Sequence, residues 1–355
     1  MTETKAWPQV LTALLEKRNL SREQASWAMQ EIMSGEAGEA QVGAFMMAMR
    51  SKGESVDELA GLVDVMLEHS VILDTGNDAL DIVGTGGDMV GTVNISSMAA
   101  ILAASAGVPV MKHGSRSASG KTGSSEMLEV LGIRLDLSPE RVADVFREIG
   151  LTFFFAPVFH PAMRYVAPIR KALGVPTTFN FLGPLANPAQ PIATSLGVAN
   201  RFIAPLMAAE MAARGRTALV FRGSDGLDEL TTTGTSEIWQ VSGGEVTKFD
   251  LNPLDLGLKT AKLDDLVGGD AHFNARTARM LFGMEPADRD LSAVRDVVAL
   301  NAAGGQVAYQ LAKTPELAKT DLTERFAAAL ASMHALLDSG AAASKLSEWI
   351  SVTQA

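Results

Sequence analysis

The residues best placed to do chemistry begin with DIVGTGGDMVGTVNIS, Asp81 to Ser96. An apolar, strand-like start runs into a glycine-rich turn, and the turn runs into a helix-like segment. That arrangement cradles phosphate. Gly84, Gly86 and Gly87 free backbone N–H groups to converge on one point. Thr92, Asn94, Ser96 and Ser97 crowd the start of the following helix with hydroxyl and amide groups, where unsatisfied amides and the helix dipole favour negative charge. Asp88 is out of place beside phosphate alone and better suits a sugar hydroxyl or a metal-bound water. The loop is not a dinucleotide fingerprint: counting from Gly84, the sixth position is Met89 rather than glycine. Nor is it a Walker loop, because Thr92 and Val93 stand after Gly91 where lysine and a hydroxyl residue are required.

A second loop, MKHGSRSASGKTGSSEML, follows the next apolar strand. Lys112, His113, Arg116 and Lys121 bring cations into ten residues of a chain with net charge -11. Ser115, Ser117, Ser119, Thr122, Ser124 and Ser125 add hydroxyls, while Gly114, Gly120 and Gly123 let the backbone come close. The composition suits an anion clamp. Two such loops imply a ligand with more than one phosphate group, and a compact polyphosphate usually brings Mg²⁺. GSDGLDELTT, after the strand TALVFRG, offers Asp228 and Glu229. Read alone, these adjacent carboxylates fit a hard-metal site or a solvated acidic turn.

Elements of two kinds must position these loops. The first seventy residues read as helices. Ser21 and Gln24 have capping-box spacing with Gly35 at the expected stop, and Ser55 and Glu58 repeat the device. The Met46–Met49 stripe between them is a core or subunit-contact face. After about residue 75, the strands LDIVG, VPVMKHG, LTFFFAP and TALVFRG alternate with helical stretches, which predicts an α/β domain with a largely parallel sheet. Ser138 before Pro139 predicts a helix start. SEIWQVSGGEVTKFDL predicts a hairpin around Gly243 and Gly244, and the last ninety residues read as mostly helical. In open α/β sheets ligands sit beyond the carboxyl ends of the strands, where both glycine loops fall.

Composition narrows the function. The 355 residues are 47% hydrophobic and 20% charged, as in a globular chain. The acidic balance argues against general nucleic-acid binding, which needs a positive surface. With no cysteine there is no disulfide, thiol nucleophile or thiolate metal site. The start, MTETKAWPQV, does not read as a secretory signal, and no apolar run reaches membrane-spanning length, so a cytoplasmic protein is expected.

GTGGD, the TVNIS run, KHGSR with SGKTGSSEMLEVLG, HPAMRYVAPIRKALG, FNFLGPLANPA and DGLDE, in this order and spacing, resemble anthranilate phosphoribosyltransferase over nearly the whole chain. The resemblance implies a nucleoside phosphorylase-like fold: a small helical domain over 1–72, completed by a segment near 160–180, and a larger α/β domain over 73–355. It implies transfer of ribose 5-phosphate from 5-phosphoribosyl 1-diphosphate (PRPP) to the amine of anthranilate, in tryptophan biosynthesis, with Mg²⁺ and a homodimer formed through the helical domain. Gly84, Gly87, Asp88, Thr92, Asn94, Ile95, Ser96, Ser97, Lys112, His113, Gly114, Ser115, Arg116, Ser119, Gly120 and Ser124 match the family's PRPP positions. Ser96, Asp228 and Glu229 match its Mg²⁺ positions, and Gly84, Ser115, His160 and Arg170 its anthranilate positions. Serine at 115 departs from the family's usual asparagine, which bears on the acceptor more than on PRPP.

The implied chemistry needs no obligate base, because an aniline is neutral near pH 7 and only has to be aligned with C1 of the ribose. Lys112 would stabilise the leaving diphosphate, and Lys112, His113 and His160 are the catalytic candidates. Arg170 would fork the anthranilate carboxylate. LGPLANP, with Gly183, Pro184 and Pro188, is either a wall beside the acceptor or a structural crossover. A pyrimidine nucleoside phosphorylase of the same fold is the enzymatic rival, opposed by the KHG histidine, GTGGD and DGLDE. A non-enzymatic nucleic-acid or protein binder is the other.

Overall fold

Sheet order places the chemistry. In a computed structural model describing residues 6–73, 75–116 and 122–355, the strands are β1 (Leu80–Gly84), β2 (Val110–Gly114), β3 (Leu151–Phe155), β4 (Ala193–Gly197), β5 (Thr217–Gly223), β6 (Ser236–Ser242) and β7 (Glu245–Leu251). They form one seven-stranded sheet in the order β3-β2-β1-β4-β5-β6-β7. The pairs from β3 through β5 are parallel, and β6 and β7 add an antiparallel hairpin. The chain winds from β1 out to β3 and then returns to place β4 on the other side of β1. Strand order therefore reverses beside β1, which is where α/β sheets bind ligands.

The strands anticipated around LDIVG, VPVMKHG, LTFFFAP and TALVFRG all form, as does the hairpin, with Gly243 and Gly244 at φ 61° and 80°. One strand lacked a sequence signal. β4, ATSLG, has Thr194 and Ser195 in place of a β-branched apolar run, yet it is buried along its whole length between β1 and β5. Small side chains there let helices pack closely on the central strands. The long helix Ser292–Lys313 does so with a Gly304–Gly305 pair: a Cβ at Gly305 would stand 2.7 Å from the Ile82 side chain on β1.

The chain divides into two compact units. One comprises Met1–Ile72 with Ala156–Pro188, the other Leu73–Phe155 with Ala189–Ala355. In the helical unit, Ser21 caps Arg22–Ser34 and Ser55 caps Val56–Glu68, each with a reciprocal box, and Gly35 closes the first of these at φ 81°. Met46 and Met49 are buried, whereas Met47 is exposed. Lys52 and Glu58 form a buried ion pair at 2.8 Å. Glu58 also accepts from the backbone N–H groups of Leu20 and Ser55. FNFLGPL folds as a helix, Phe179–Leu185, with Pro184 inside it. Among the described residues no single helix is long and apolar enough to cross a membrane.

Candidate active site

β1, β2, β4 and β5 each end in glycine, and the reason is steric. A Cβ on Gly84 would lie 2.2 Å from Asp228 Oδ2, and one on Gly197 would lie 1.7 Å from the Asp228 carbonyl oxygen. The strand ends are bare so that the Asp228–Glu229 turn can sit directly on them. Asn301, buried in the long helix, pins the next residue from below. Its Oδ1 accepts from the Leu230 N–H at 2.9 Å, and its Nδ2 donates to the Leu230 carbonyl at 2.8 Å.

The turn draws the first glycine loop to itself. The Gly86 N–H donates to Asp228 Oδ2 at 2.7 Å, and the Ser96 N–H donates to Glu229 Oε1 at 3.2 Å. This corrects one sequence expectation: the Gly86 amide serves a carboxylate rather than joining Gly84 and Gly87 around an anion. Gly86 and Gly87 have φ of 66° and 84°, the left-handed backbone that glycine adopts freely. Asp88 approaches Asp228. Burial, reinforced by the Asp88 charge, raises the Asp228 carboxyl to about 7. Burial first, then Asp228, pushes Glu229 well above the usual carboxylate range.

One buried cation answers this charge. The Lys112 ammonium, on β2, donates to the Ile82 carbonyl and, at 3.3 Å, to Ser96 Oγ. Burial lowers its pKa, and Asp81, Glu229 and Asp228 oppose that shift. Asp81, fully buried within β1, also accepts from the His113 N–H at 3.1 Å. Ser97 Oγ is buried with no hydrogen-bond partner among the described residues. Buried hydroxyls are seldom left so, which makes it available to a ligand.

The second loop is only partly described. Gly114 has no room for a Cβ between Phe153 and Ser124 Oγ, each 2.7 Å away. Ser124 Oγ donates to the Ser115 carbonyl at 3.3 Å. Arg116 is turned to Glu129, with a 2.9 Å ion pair at the surface. Ser119 and Gly120, with Ser117 and Lys121, lie outside the described residues.

Two expected acceptor residues belong to the helical unit. Arg170, in the helix Ala167–Leu173, is half-buried, and burial lowers its pKa. Its guanidinium donates only a long 3.4 Å bond to Asn180 Oδ1, and no carboxylate pairs with it among the described residues. His160 is buried with Nε2 3.0 Å from the Ala186 carbonyl, and the Met66 backbone also bonds its ring. Burial depresses its pKa to about 4, leaving it neutral at pH 7 as a tie within its unit.

Sequence reasoning passed over Asp81, Gly197, Asn274 and Asn301. Asp81 carried a signal, a charged residue inside an apolar strand. Gly268–Gly269–Asp270 carried another, because it repeats the glycine pair and aspartate of the first loop.

The pair of adjacent carboxylates, the lysine and the amide-rich helix start have the chemistry that suits an anion carried with a divalent cation. The chain matches the glycosyl transferase family helical bundle domain over residues 8–70 and the glycosyl transferase family a/b domain over 76–343. It is 53% identical to the anthranilate phosphoribosyltransferase of Leifsonia xyli subsp. xyli, covering 100% of both chains. Its structure resembles the anthranilate phosphoribosyltransferase of Thermus thermophilus, with TM-score 0.86, 38% identity and coverage of 98% and 99%. It also resembles the Saccharomyces cerevisiae enzyme solved with PRPP and Mg, with TM-score 0.84, 27% identity and coverage of 98% for each chain. A structure of that yeast enzyme with 4-fluoroanthranilate matches with TM-score 0.82 at 26% identity and the same coverage.

Proposed function

The chain belongs to the anthranilate phosphoribosyltransferase family, and from that premise we propose which of its groups carry the reaction. The enzyme transfers the 5-phosphoribosyl group of PRPP to the amine of anthranilate, giving N-(5-phosphoribosyl)anthranilate and diphosphate in tryptophan biosynthesis, and it uses Mg²⁺. The observation carrying the residue assignment is the buried Asp228–Glu229 pair, seated on the strand ends and bonded to the amides of Gly86 and Ser96.

The donor set fits Mg²⁺. It is all oxygen, and burial makes its negative charge costly until a cation is near. Among the described residues no three His, Asp or Glu side chains are arranged to hold a metal by themselves. That suits an ion whose remaining ligands are waters and substrate phosphates. Asp228, Glu229 and the Ser96 hydroxyl would hold it, and there it would neutralise charge on the departing diphosphate.

The chain's own groups bind and align. The Gly87 amide, the hydroxyls of Thr92, Ser96 and Ser97, the Asn94 amide and Ser124 supply donors to PRPP, beside Gly84, Asp88 and Ile95. Gly114, Ser115, Arg116, Ser119 and Gly120 complete the donor clamp. Lys112, fixed through Ile82 and Ser96, brings a buried ammonium to the site. Its positive charge favours diphosphate departure. Arg170 pairs with the anthranilate carboxylate, with Gly84, Ser115 and His160 as the other acceptor positions. The neutral amine needs only alignment with C1, so neither His113 nor His160 is assigned as base. His160 instead shapes its unit, given its buried bond to the Ala186 carbonyl.

A second copy of the chain would cover part of the helical unit, where Leu15, Met47 and Val175 expose apolar surface. Light scattering on Leu15→Glu, Met47→Glu and the parent protein tests this homodimer. A cytoplasmic location follows from the donor, whose charge keeps it from crossing a membrane unaided. The assay for the reaction follows loss of anthranilate fluorescence on adding enzyme, PRPP and Mg²⁺. Persistence of the free amine at all enzyme concentrations would refute the activity. Substituted anthranilates in the same assay test whether Ser115 widens acceptor choice.

A further inference from the structure

A short segment, residues 266–274, runs beside the first glycine loop and is stitched to it. The Val93 N–H donates to the Leu266 carbonyl at 3.0 Å, and the Gly268 N–H donates to the Gly91 carbonyl at 2.9 Å. Thr92 and Val267 pair as an isolated antiparallel bridge. The same segment holds the second loop, because Thr122 Oγ1 donates to the Gly269 carbonyl at 2.9 Å. Gly268 has no room for a side chain: a Cβ would stand 2.6 Å from the Thr92 carbonyl oxygen and 2.7 Å from Asn274 Oδ1.

We propose that Asn274 is a positioning residue for the phosphoribosyl donor, acting by fixing which end of the Asn94 amide faces the ligand. The inference rests on the reading of the first loop as the PRPP site. Asn274 is 1% exposed, in the helix Ala271–Leu281. Its Oδ1 accepts from the Gly269 backbone N–H at 2.9 Å. A backbone amide can only donate, so this bond sets the Asn274 side chain unambiguously. Its Nδ2 must then be the end that meets Asn94, and it donates to Asn94 Oδ1 at 2.8 Å.

Two consequences follow for Asn94. Its oxygen is occupied, so the rest of its amide is a pure donor, and among the described residues no acceptor takes those N–H groups. Asn94 also stands at the N-cap of Ile95–Ser105, where an asparagine oxygen ordinarily accepts from the helix amides. Here the side chain makes no cap bond. Asn274 holds the oxygen away from the helix start and turns the N–H groups outward, as an anion requires. Without it, the Asn94 oxygen would be free to cap the helix or to face phosphate with its lone pairs.

The test is a double-mutant cycle on PRPP binding, read by titration calorimetry with Mg²⁺ and no anthranilate. Asn274→Asp keeps the size and the acceptor for Gly269 but cannot donate to Asn94. The added charge also acts in an Asn94→Ala background, so the cycle subtracts it. The expected result is that Asn274→Asp weakens PRPP roughly 10- to 100-fold in the parent protein, and about tenfold less than that in Asn94→Ala. The KM for anthranilate should stay within about twofold. Equal losses in both backgrounds would overturn the role of Asn274 while leaving the donor site standing. No loss from Asn94→Ala alone would instead overturn the reading of the loop. Asn274→Ser, which adds no charge, carries the same cycle should the aspartate variant fail to fold.

Discussion

Arg170 gives the sharpest quantitative test of the acceptor assignment. It is a half-buried cation whose only bond among the described residues is a 3.4 Å contact to Asn180, longer than an ordinary N–H···O bond. Burial already lowers its pKa, so the folded protein gains little from it. Replacing it by alanine should therefore change stability by only about 0.5 kcal/mol. A carboxylate gripped by the guanidinium fork would gain about 1.5–3 kcal/mol from charge-assisted bonds. Removing the fork should raise the KM for anthranilate roughly 10- to 150-fold and leave that for PRPP within about twofold. Arg170→Lys, which keeps the charge without the fork, should fall between. The assay is steady-state fluorescence with each substrate varied in turn, beside a thermal melt. Equal rises in both KM values would refute the carboxylate role. A large drop in melting temperature would show Arg170 to be structural.

Three further outcomes are expected. Gly197→Ala places a Cβ 1.7 Å from the Asp228 backbone oxygen, which has no flexible end to yield. Displacing Asp228 should cost about 100-fold in kcat/KM and raise the Mg²⁺ needed for half-maximal rate, whereas a parent-like Mg²⁺ titration would argue against the seat described for the turn. Lys52→Met strands the Glu58 carboxylate in the helical unit and should cost about 3–5 kcal/mol in urea unfolding, with the Lys52→Met/Glu58→Gln double variant, which removes the charge but keeps an oxygen to accept from the Leu20 N–H, recovering part of it. His160 is held neutral in the fold with pKa about 4, against 6.5 when unfolded. Between those values the unfolded chain binds the extra proton, so stability falls as pH drops from 6.5 to 4, by about 3 kcal/mol from this residue. His160→Gln should flatten that part of the stability–pH curve, and an unchanged slope would contradict the buried neutral state.

Much was legible in the sequence because local chemistry determines local structure. Ser21, Ser55 and Ser138 cap helices through bonds made within three residues, so spacing alone located those helix starts. Alternating apolar strands and amphipathic helices gave a parallel sheet, and both glycine loops fell at its carboxyl edge as expected. β4 escaped because ATSLG has a weak strand signal, and its place is set by the neighbours that bury it.

What the sequence by itself determined was the inventory: two glycine loops, a lysine, a carboxylate pair, and the order of strands and helices that carry them. Only the tertiary structure decided which groups meet. Asp228 and Gly86 are 142 residues apart, and Asn274 and Asn94 are 180 apart, yet each pair shares a hydrogen bond. No periodicity encodes such a meeting, because it depends on the sheet reversing beside β1 and on glycines leaving space at the strand ends. The same packing takes the Gly86 amide for a carboxylate and makes His160 a structural tie. Residue type states what a group can donate or accept, and the fold determines which partner it finds.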